Sequence, residues 1–278
     1  MESFYTCDIQ LTDLHTKQRE VVNRYFSCVI NYLHDHKLSY LKLCNTLQEQ
    51  GAVRIVDDGE LLAAQIEKSI GNKRLPFVVL THPFVVQACR VPTAIDFPGR
   101  QSPLDFTVLL DIYGQILCQK LQQSIGKNVE RYMIGSPIMT WEDELERLGV
   151  FLLKSEGTAA QVLLPFYETI LTGSSLPIIW LYPEGMSRGL EKNGNFKSGV
   201  FWLLKYIYQD GRVLKKNNLV GVDVIFVDQY NIQITNKAIQ CRYNLLHVFN
   251  DAEVELAISS RTSGVNLLKE LVCKYRRS

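Results

Sequence analysis

The sequence predicts a single α/β domain with a mixed, partly parallel sheet flanked by helices and a helical N-terminal region. Its 278 residues are 46% hydrophobic and 21% charged, a balance typical of a globular domain with a sizeable core. Short apolar runs rich in β-branched residues alternate with segments of helical periodicity, which indicates an α/β sheet. The sequence contains no internal repeat, low-complexity tract or long linker that would force a division into two domains.

The N-terminal region is predicted to be helical. From residue 14 to about residue 47 the apolar side chains recur at a spacing of three and four, and a second helical stretch covers residues 61–70. We therefore divide the chain into a helical N-terminal region, residues 1–75, and an α/β core, residues 76–278, which includes a C-terminal helix.

Predicted strands and predicted helices alternate in the core. The apolar runs that predict strands are residues 77–80, 93–97, 149–153, 176–182 and 220–227. The segments with helical periodicity are residues 104–121, 141–148, 200–208 and 265–275. The last helix ends in basic residues, which suit the negative end of a helix dipole.

Charge and cysteine usage restrict the classes of partner. Thirty basic residues balance 29 acidic ones, so no overall field draws the chain to nucleic acid, and any phosphate site must be local. The seven cysteines have no metal-ligand spacing and the N-terminus has no apolar signal core, so we expect an intracellular protein without a bound metal. The longest apolar runs fall far short of the roughly 20 residues of a membrane-spanning helix, so any membrane contact is expected to be peripheral.

A loop motif stands between a predicted strand and a predicted helix. Residues 98–106 read PGRQSPLDF, with Arg100 and Asp105 five positions apart. This segment resembles the Pro-x-His-x-Ser-x-x-Asp-Phe motif of the glycerol-3-phosphate and dihydroxyacetone-phosphate O-acyltransferases. Arg100 occupies the histidine position and Asp105 the aspartate position.

Three later segments are similar to further motifs of the same family, in the same order along the chain. Residues 147–155 resemble its Arg-Leu-Gly-Ala-Phe-Phe-Ile-Arg-Arg-Ser strand, and residues 220–228 resemble its Val-Pro-Val-x-Ile-x-Tyr-Asp strand. Residues 184–188, followed by residues 197–199, resemble its Glu-Gly-Gly-Arg-Ser-Arg loop and Lys-x-Gly. Four imperfect matches in the right order are more specific than any one of them.

The resemblance implies a glycerophosphate-acyltransferase-like domain. Such a domain transfers a fatty acyl group from acyl-CoA, its co-substrate, to dihydroxyacetone phosphate or glycerol 3-phosphate in phospholipid or ether-lipid synthesis, without a further cofactor or metal. In the family the histidine takes the proton of the acceptor hydroxyl, and the aspartate orients its ring. The positions that would bind the acceptor phosphate or shape the loop around it are Lys154, Glu184, Gly185, Ser187, Arg188 and Lys197.

The arginine at the histidine position limits this chemistry. A guanidinium has a pKa above about 12 and cannot act as a general base, whose loss typically slows a reaction about 10²- to 10⁴-fold. Slow turnover could persist through proximity and electrostatics, or His82 could replace the missing base. In the other alternative an Arg100–Asp105 ion pair closes the loop, and the chain is an inactive member that binds acyl-CoA, lipid or another protein as a regulatory module.

A serine esterase is the rival interpretation from outside the family. Residues 185–189 satisfy G-x-S-x-G around Ser187, and Asp228 and His247 follow in the chain order of an α/β-hydrolase. The context argues against a nucleophile elbow, because Pro183 and Glu184 interrupt the entry from the strand into the turn.

The resemblance also implies a location. Members of the family act at peroxisomal, endoplasmic-reticulum or mitochondrial membranes, so we expect peripheral membrane association. The chain ends in YRRS and not in a Ser-Lys-Leu-type peroxisomal signal. The sequence does not predict an oligomeric state.

Overall fold

The mixed α/β sheet predicted from the sequence is confirmed. The structure is a computed structural model that describes residues 8–9, 14–35, 38–57, 60–81, 88–89, 104–135, 150–152, 158–183, 196–260 and 262–276. Within these residues, helices flank a seven-stranded sheet that contains both parallel and antiparallel pairs.

The strands form one large sheet and one small ribbon. They are β1 (Asp8–Ile9), β2 (Val53–Asp57), β3 (Arg74–Thr81), β4 (Ala88–Cys89), β5 (Val129–Gly135), β6 (Val150–Leu152), β7 (Leu176–Leu181), β8 (Gly221–Ile234) and β9 (Ile239–Val248). β1 and β4 pair with each other, and the other strands lie in the order β2-β9-β8-β3-β7-β5-β6. β8, β3, β7, β5 and β6 run parallel, whereas β9 returns antiparallel to β8 and β2 runs parallel to β9.

The helices pack on both faces of the sheet. They are α1 (Thr16–His34), α2 (Tyr40–Glu49), α3 (Leu61–Gly71), α4 (Leu104–Ile125), α5 (Ala159–Thr172), α6 (Gly199–Asp210), α7 (Arg212–Lys216), α8 (Asp251–Ser259) and α9 (Ser263–Arg276). The apolar residues of α1 to α4 form one core with the first face, and those of α5 to α9 form a second core with the opposite face. Because both faces are covered, residues 75–80 of β3 and residues 176–181 of β7 are apolar without interruption.

Polar caps set the start of several helices. The predicted helix over residues 14–47 is divided in two, because the Ser39 side chain accepts a hydrogen bond from the Lys42 backbone N–H and begins α2. The carboxylate of Asp57, at the end of β2, accepts from the backbone N–H groups of Leu62 and Ala63 and so fixes the entry into α3.

The N-terminal region also contributes to the large sheet. β2 pairs with β9 along its whole length and places Val53 opposite Ile239, although the sequence predicts only helices before residue 75. The predicted strand over residues 93–97 and the predicted helix over residues 141–148 lie outside the described residues.

Candidate functional site

Three of the family-like segments lie at or after the carboxyl ends of parallel strands, and the fourth is the start of β8. β3 ends at Thr81, β7 at Leu181 and β6 at Leu152, and parallel strands have their carboxyl ends at one edge of the sheet. In sequence, residues 82–103 follow the first end, residues 184–195 the second and residues 153–157 the third. We call this side of the sheet the carboxyl edge, where open α/β sheets commonly bind their ligands.

Helix α4 begins at the same edge. It packs against β5 and joins it through the short turn 126–128, so its last residue lies near the amino end of β5 and its first residue near the carboxyl edge. Asp105 is the second residue of α4 and therefore belongs to its first turn, where the helix dipole favours negative charge. The side chain of Asp105 and the whole of Arg100 lie outside the described part of the structure.

Lys197 is held at the end of β7. Its backbone N–H donates to the carbonyl oxygen of Pro183 at 2.6 Å, and the preceding Phe196 is buried in the second core. The Lys197 side chain is exposed, two residues before α6 begins at Gly199. The other predicted phosphate-binding and loop positions fall outside the described ranges, namely Lys154, Glu184, Gly185, Ser187 and Arg188, and so does His82, the candidate replacement base.

The sheet separates the two helices that start at this edge. α4 packs on the first face and α6 on the second, with the ends of β3 and β7 between them. Asp105 and Lys197 therefore approach the same strand ends from opposite faces.

Asp228 is a second carboxylate at the carboxyl edge. It is only 9% exposed, and the strand register places it beside Thr81 of β3 and opposite Asn244 of β9. His247 lies opposite Phe226 and its Nε2 is 2.9 Å from the Glu253 carboxylate. Asp228 and His247 are therefore not brought together, which removes the support for the esterase interpretation.

A buried arginine lies beneath α4 and is absent from the sequence-based site. Arg131 of β5 is 6% exposed, and its Nη1 donates to the Sδ of Met133 at 3.2 Å. Its side chain passes α4 at Gly114, where an added Cβ would come within 2.5 Å of the Arg131 Cδ. The available signal was its position, with Glu130, in a short segment that is otherwise free of charged residues.

The opposite end of the sheet carries a cleft whose arginine has two carboxylate partners. The cleft has a volume of about 360 Å³ and lies at the amino ends of β3 and β8, beside the start of α8. Arg74 pairs with Asp223, and its Nη2 donates to the Asp251 carboxylate at 2.9 Å. Burial alone would lower the pKa of Arg74, but these two carboxylates raise it. We therefore infer that this cluster of charged side chains holds α8 against the sheet.

The part of the chain that the structure describes has neither a metal-binding cluster nor a membrane-spanning helix. No group of three or more His, Cys, Asp and Glu side chains there could hold a metal ion. None of the helices described is long and apolar enough to cross a bilayer.

Comparison with known proteins adds no relative. No protein-family model matches the sequence, and no curated protein matches it significantly. The acyltransferase resemblance rests on the four motif-like segments of the sequence.

Proposed function

We propose that this protein is an acyl-CoA-dependent O-acyltransferase that acylates dihydroxyacetone phosphate or glycerol 3-phosphate, in the synthesis of phospholipids or ether lipids. One observation carries the proposal. The strands β3, β6 and β7 lead along the chain into three of the motif-like segments and have their carboxyl ends at one edge of the sheet, and Asp105 stands in the first turn of the helix that begins at that edge. Open α/β sheets commonly bind their ligands at such an edge, which supports the proposal.

The reaction joins an alcohol to a thioester carbonyl carbon. The acceptor oxygen forms a C–O bond, the C–S bond breaks, the thiolate of CoA leaves, and the alcohol proton ends on that sulfur or on solvent. Lys197, with Lys154 and Arg188, would hold the acceptor phosphate, since charge-assisted hydrogen bonds are the strongest that side chains make to such a group. Glu184, Gly185 and Ser187 would shape the loop around it.

Arg100 would support the reaction without taking the proton. A guanidinium stays protonated near neutral pH, so it would stabilise the negative charge that develops on the carbonyl oxygen. Asp105 would fix its orientation, as the family aspartate fixes the histidine. We therefore expect the natural protein to be a slow enzyme.

The decisive experiment compares the wild type with Arg100→His. Both proteins are incubated with a long-chain acyl-CoA and each acceptor in turn, and free CoA and the acylated product are measured. We expect slow transfer by the wild type and an increase of about 10²- to 10⁴-fold in Arg100→His, because a general base is restored. Adding Asp105→Asn to the variant should abolish most of that gain, whereas Asp251→Asn at the amino end of the sheet should not.

Arg100 at the histidine position also favours a second function, that of an inactive family member. If neither the wild type nor Arg100→His transfers an acyl group to either acceptor, the enzyme proposal is contradicted. Binding of acyl-CoA without turnover would then support the alternative, an inactive family member that acts as a lipid-binding or regulatory module.

A further inference from the structure

Three strands continue beyond the carboxyl edge. β3 ends at Thr81, whose partner in β8 is Asp228, but β8 continues to Ile234 and β9 returns beside it from Ile239. β2 pairs with the first half of β9 and completes the outer border. We call this extension, residues 53–57, 229–234 and 239–244, the wing.

The two faces of the wing differ in chemistry. Val53, Ile239, Cys241 and Tyr243 are buried in the first core, and Gln18 of α1 donates to the carbonyl oxygen of Ile234 on the same side at 2.9 Å. Strand side chains alternate, so the intervening residues point to the opposite face. Those described on that polar face are Arg54, Val56, Gln240, Arg242 and Asn244, and all are exposed or half-buried.

Two arginines lie close together on the polar face. Arg54 is paired with Gln240, and the next position on this face pairs Val56 with Arg242. The strand spacing and rise put the Cα atoms of Arg54 and Arg242 roughly 8 Å apart. Among the side chains whose placement the structure describes, neither guanidinium has a hydrogen-bond or ion-pair partner. Neighbouring like charges are unfavourable across strands, and an anion between them would relieve the repulsion.

The geometry points to a binding site for the phosphates of the nucleotide end of acyl-CoA on the polar face of the wing, an inference that rests on the proposed function. The adenosine 3′-phosphate and the diphosphate of CoA present several anionic oxygens, which match the planar donor fork of arginine. Gln240 and Asn244 add neutral donors beside the two charges.

The distance to the candidate active site fits an extended co-substrate. From β9 the sheet passes through β8 and β3 to β7, three strand spacings or about 14 Å. A nucleotide on the wing would therefore leave its pantetheine arm to run along the strand ends toward Lys197. The described large apolar side chains that are exposed, Leu61, Val220 and Leu256, lie outside the wing, which favours a nucleotide over a bilayer surface as the occupant.

The test is calorimetric titration of the whole chain with CoA and with 3′-dephospho-CoA. Arg54→Gln/Arg242→Gln should bind CoA at least about tenfold more weakly than the wild type, since charge-assisted hydrogen bonds are lost. We expect the wild type to prefer CoA over 3′-dephospho-CoA, and this preference should disappear in the glutamine variant. The matched control, Lys127→Gln/Lys215→Gln, removes two exposed charges at the amino ends of the strands and should bind CoA as the wild type does.

Thermal unfolding verifies that each variant is folded, and Arg54→Lys/Arg242→Lys, which keeps both charges, should retain part of the affinity. The inference is overturned if the wild type does not bind CoA, or if CoA binds equally to the wild type and the glutamine variant. Acyl transfer with an unchanged KM for acyl-CoA in that variant would also overturn it and leave the proposed function standing. If CoA binding depends on the two arginines but the protein transfers no acyl group, this inference stands and the proposed function is contradicted.

Discussion

Among individual residues, Glu253 has two structural tasks at the start of α8. Its carboxylate accepts from the Asn250 backbone N–H at 2.8 Å and lies 2.9 Å from the Nε2 of His247. Burial alone would raise the pKa of Glu253, but the Asn250 N–H and His247 outweigh it and hold the pKa below its ordinary value of 4.5. The ionised carboxylate thus joins the helix cap to β9.

Glu253→Gln should destabilise the protein near neutral pH and do so less in acid. A lowered carboxyl pKa contributes stability above the unfolded value, and this contribution is lost as the pH falls through the folded value, which lies below 4.5. We expect a loss of about 1 kcal/mol at pH 7 that becomes smaller as the pH falls below 4.5 toward pH 3. Urea unfolding of both proteins at the two pH values measures it.

Glu255→Gln on the exposed side of α8 is the control for this change. It should leave the free energy of unfolding nearly unchanged at both pH values. A Glu253→Gln effect that is equally large at pH 3 and pH 7 would mean that packing, and not the charge, is responsible.

At the scale of single elements, Gly114 sets how closely α4 approaches the sheet. An alanine there would bring its Cβ within 2.5 Å of the Arg131 Cδ, and Arg131 is buried and hydrogen-bonded to Met133, while the Trp180 ring lies 3.6 Å from the same added Cβ. We expect Gly114→Ala to lower the free energy of unfolding by about 1–3 kcal/mol, the usual cost of overpacking. Urea unfolding measures the change, with an unaltered slope confirming that the unfolding transition is the same.

Gly71 in α3 is the matched control, because a Cβ added there meets no atom within 4 Å. Gly71→Ala should be neutral or stabilising by up to about 1 kcal/mol, through a less flexible unfolded chain. If Gly114→Ala unfolds at the same urea concentration as the wild type, Arg131 is not fixed between α4 and the sheet.

Elements with uniform periodicity were predictable from the sequence. α3, α4, α6 and α9, and the central strands β3 and β7, all match predicted segments, because each is apolar on one stripe or apolar throughout. β8 begins as predicted but extends to Ile234, because its second half pairs with the returning strand β9.

The sequence did not predict several elements because their local patterns argue against a strand or a helix. Contacts formed in the folded protein outweigh those patterns. β5 contains Glu130 and Arg131, whose charges break an apolar run, and α5 contains Pro165 in its middle. β2 is short and half-buried, and its partner β9 lies near the other end of the chain, so no local pattern reveals the pairing.

The candidate site was predictable only in part. Motif order placed Asp105 at the start of a helix and Lys197 just before another, and both positions agree with the described backbone. The arginines of the wing were not predictable, because Arg54 and Arg242 become neighbours only through the β2–β9 register.

For the whole molecule, the sheet assigns different roles to its two ends. The carboxyl edge carries the candidate site and the wing, whereas at the amino end Arg74 joins the strands to α8 through carboxylates. We propose that the protein associates peripherally with a membrane, because the expected product is a lipid. We propose further that this membrane is peroxisomal, endoplasmic-reticulum or mitochondrial, as in the family that the sequence resembles.

Sedimentation with phospholipid vesicles tests that association. We expect part of the protein to pellet with vesicles that contain anionic lipid. A net charge of +1 gives only weak attraction, so the pelleted part should be small, and it should fall at high salt because salt screens that attraction. The Arg54→Gln/Arg242→Gln variant should pellet as the wild type does if the wing binds nucleotide and not lipid. Recovery of all the protein in the supernatant under every condition would contradict peripheral binding.

The position of β2 at the border of the sheet has a consequence for biosynthesis. Its partner β9 follows far along the chain, so β2 leaves the ribosome long before the segment it pairs with exists. β3 likewise must wait for both β7 and β8. Such distant pairings fold slowly and leave unpaired strands exposed in the meantime. We therefore expect α2 and α3, which contact β2, to shield its apolar face until β9 has been synthesised.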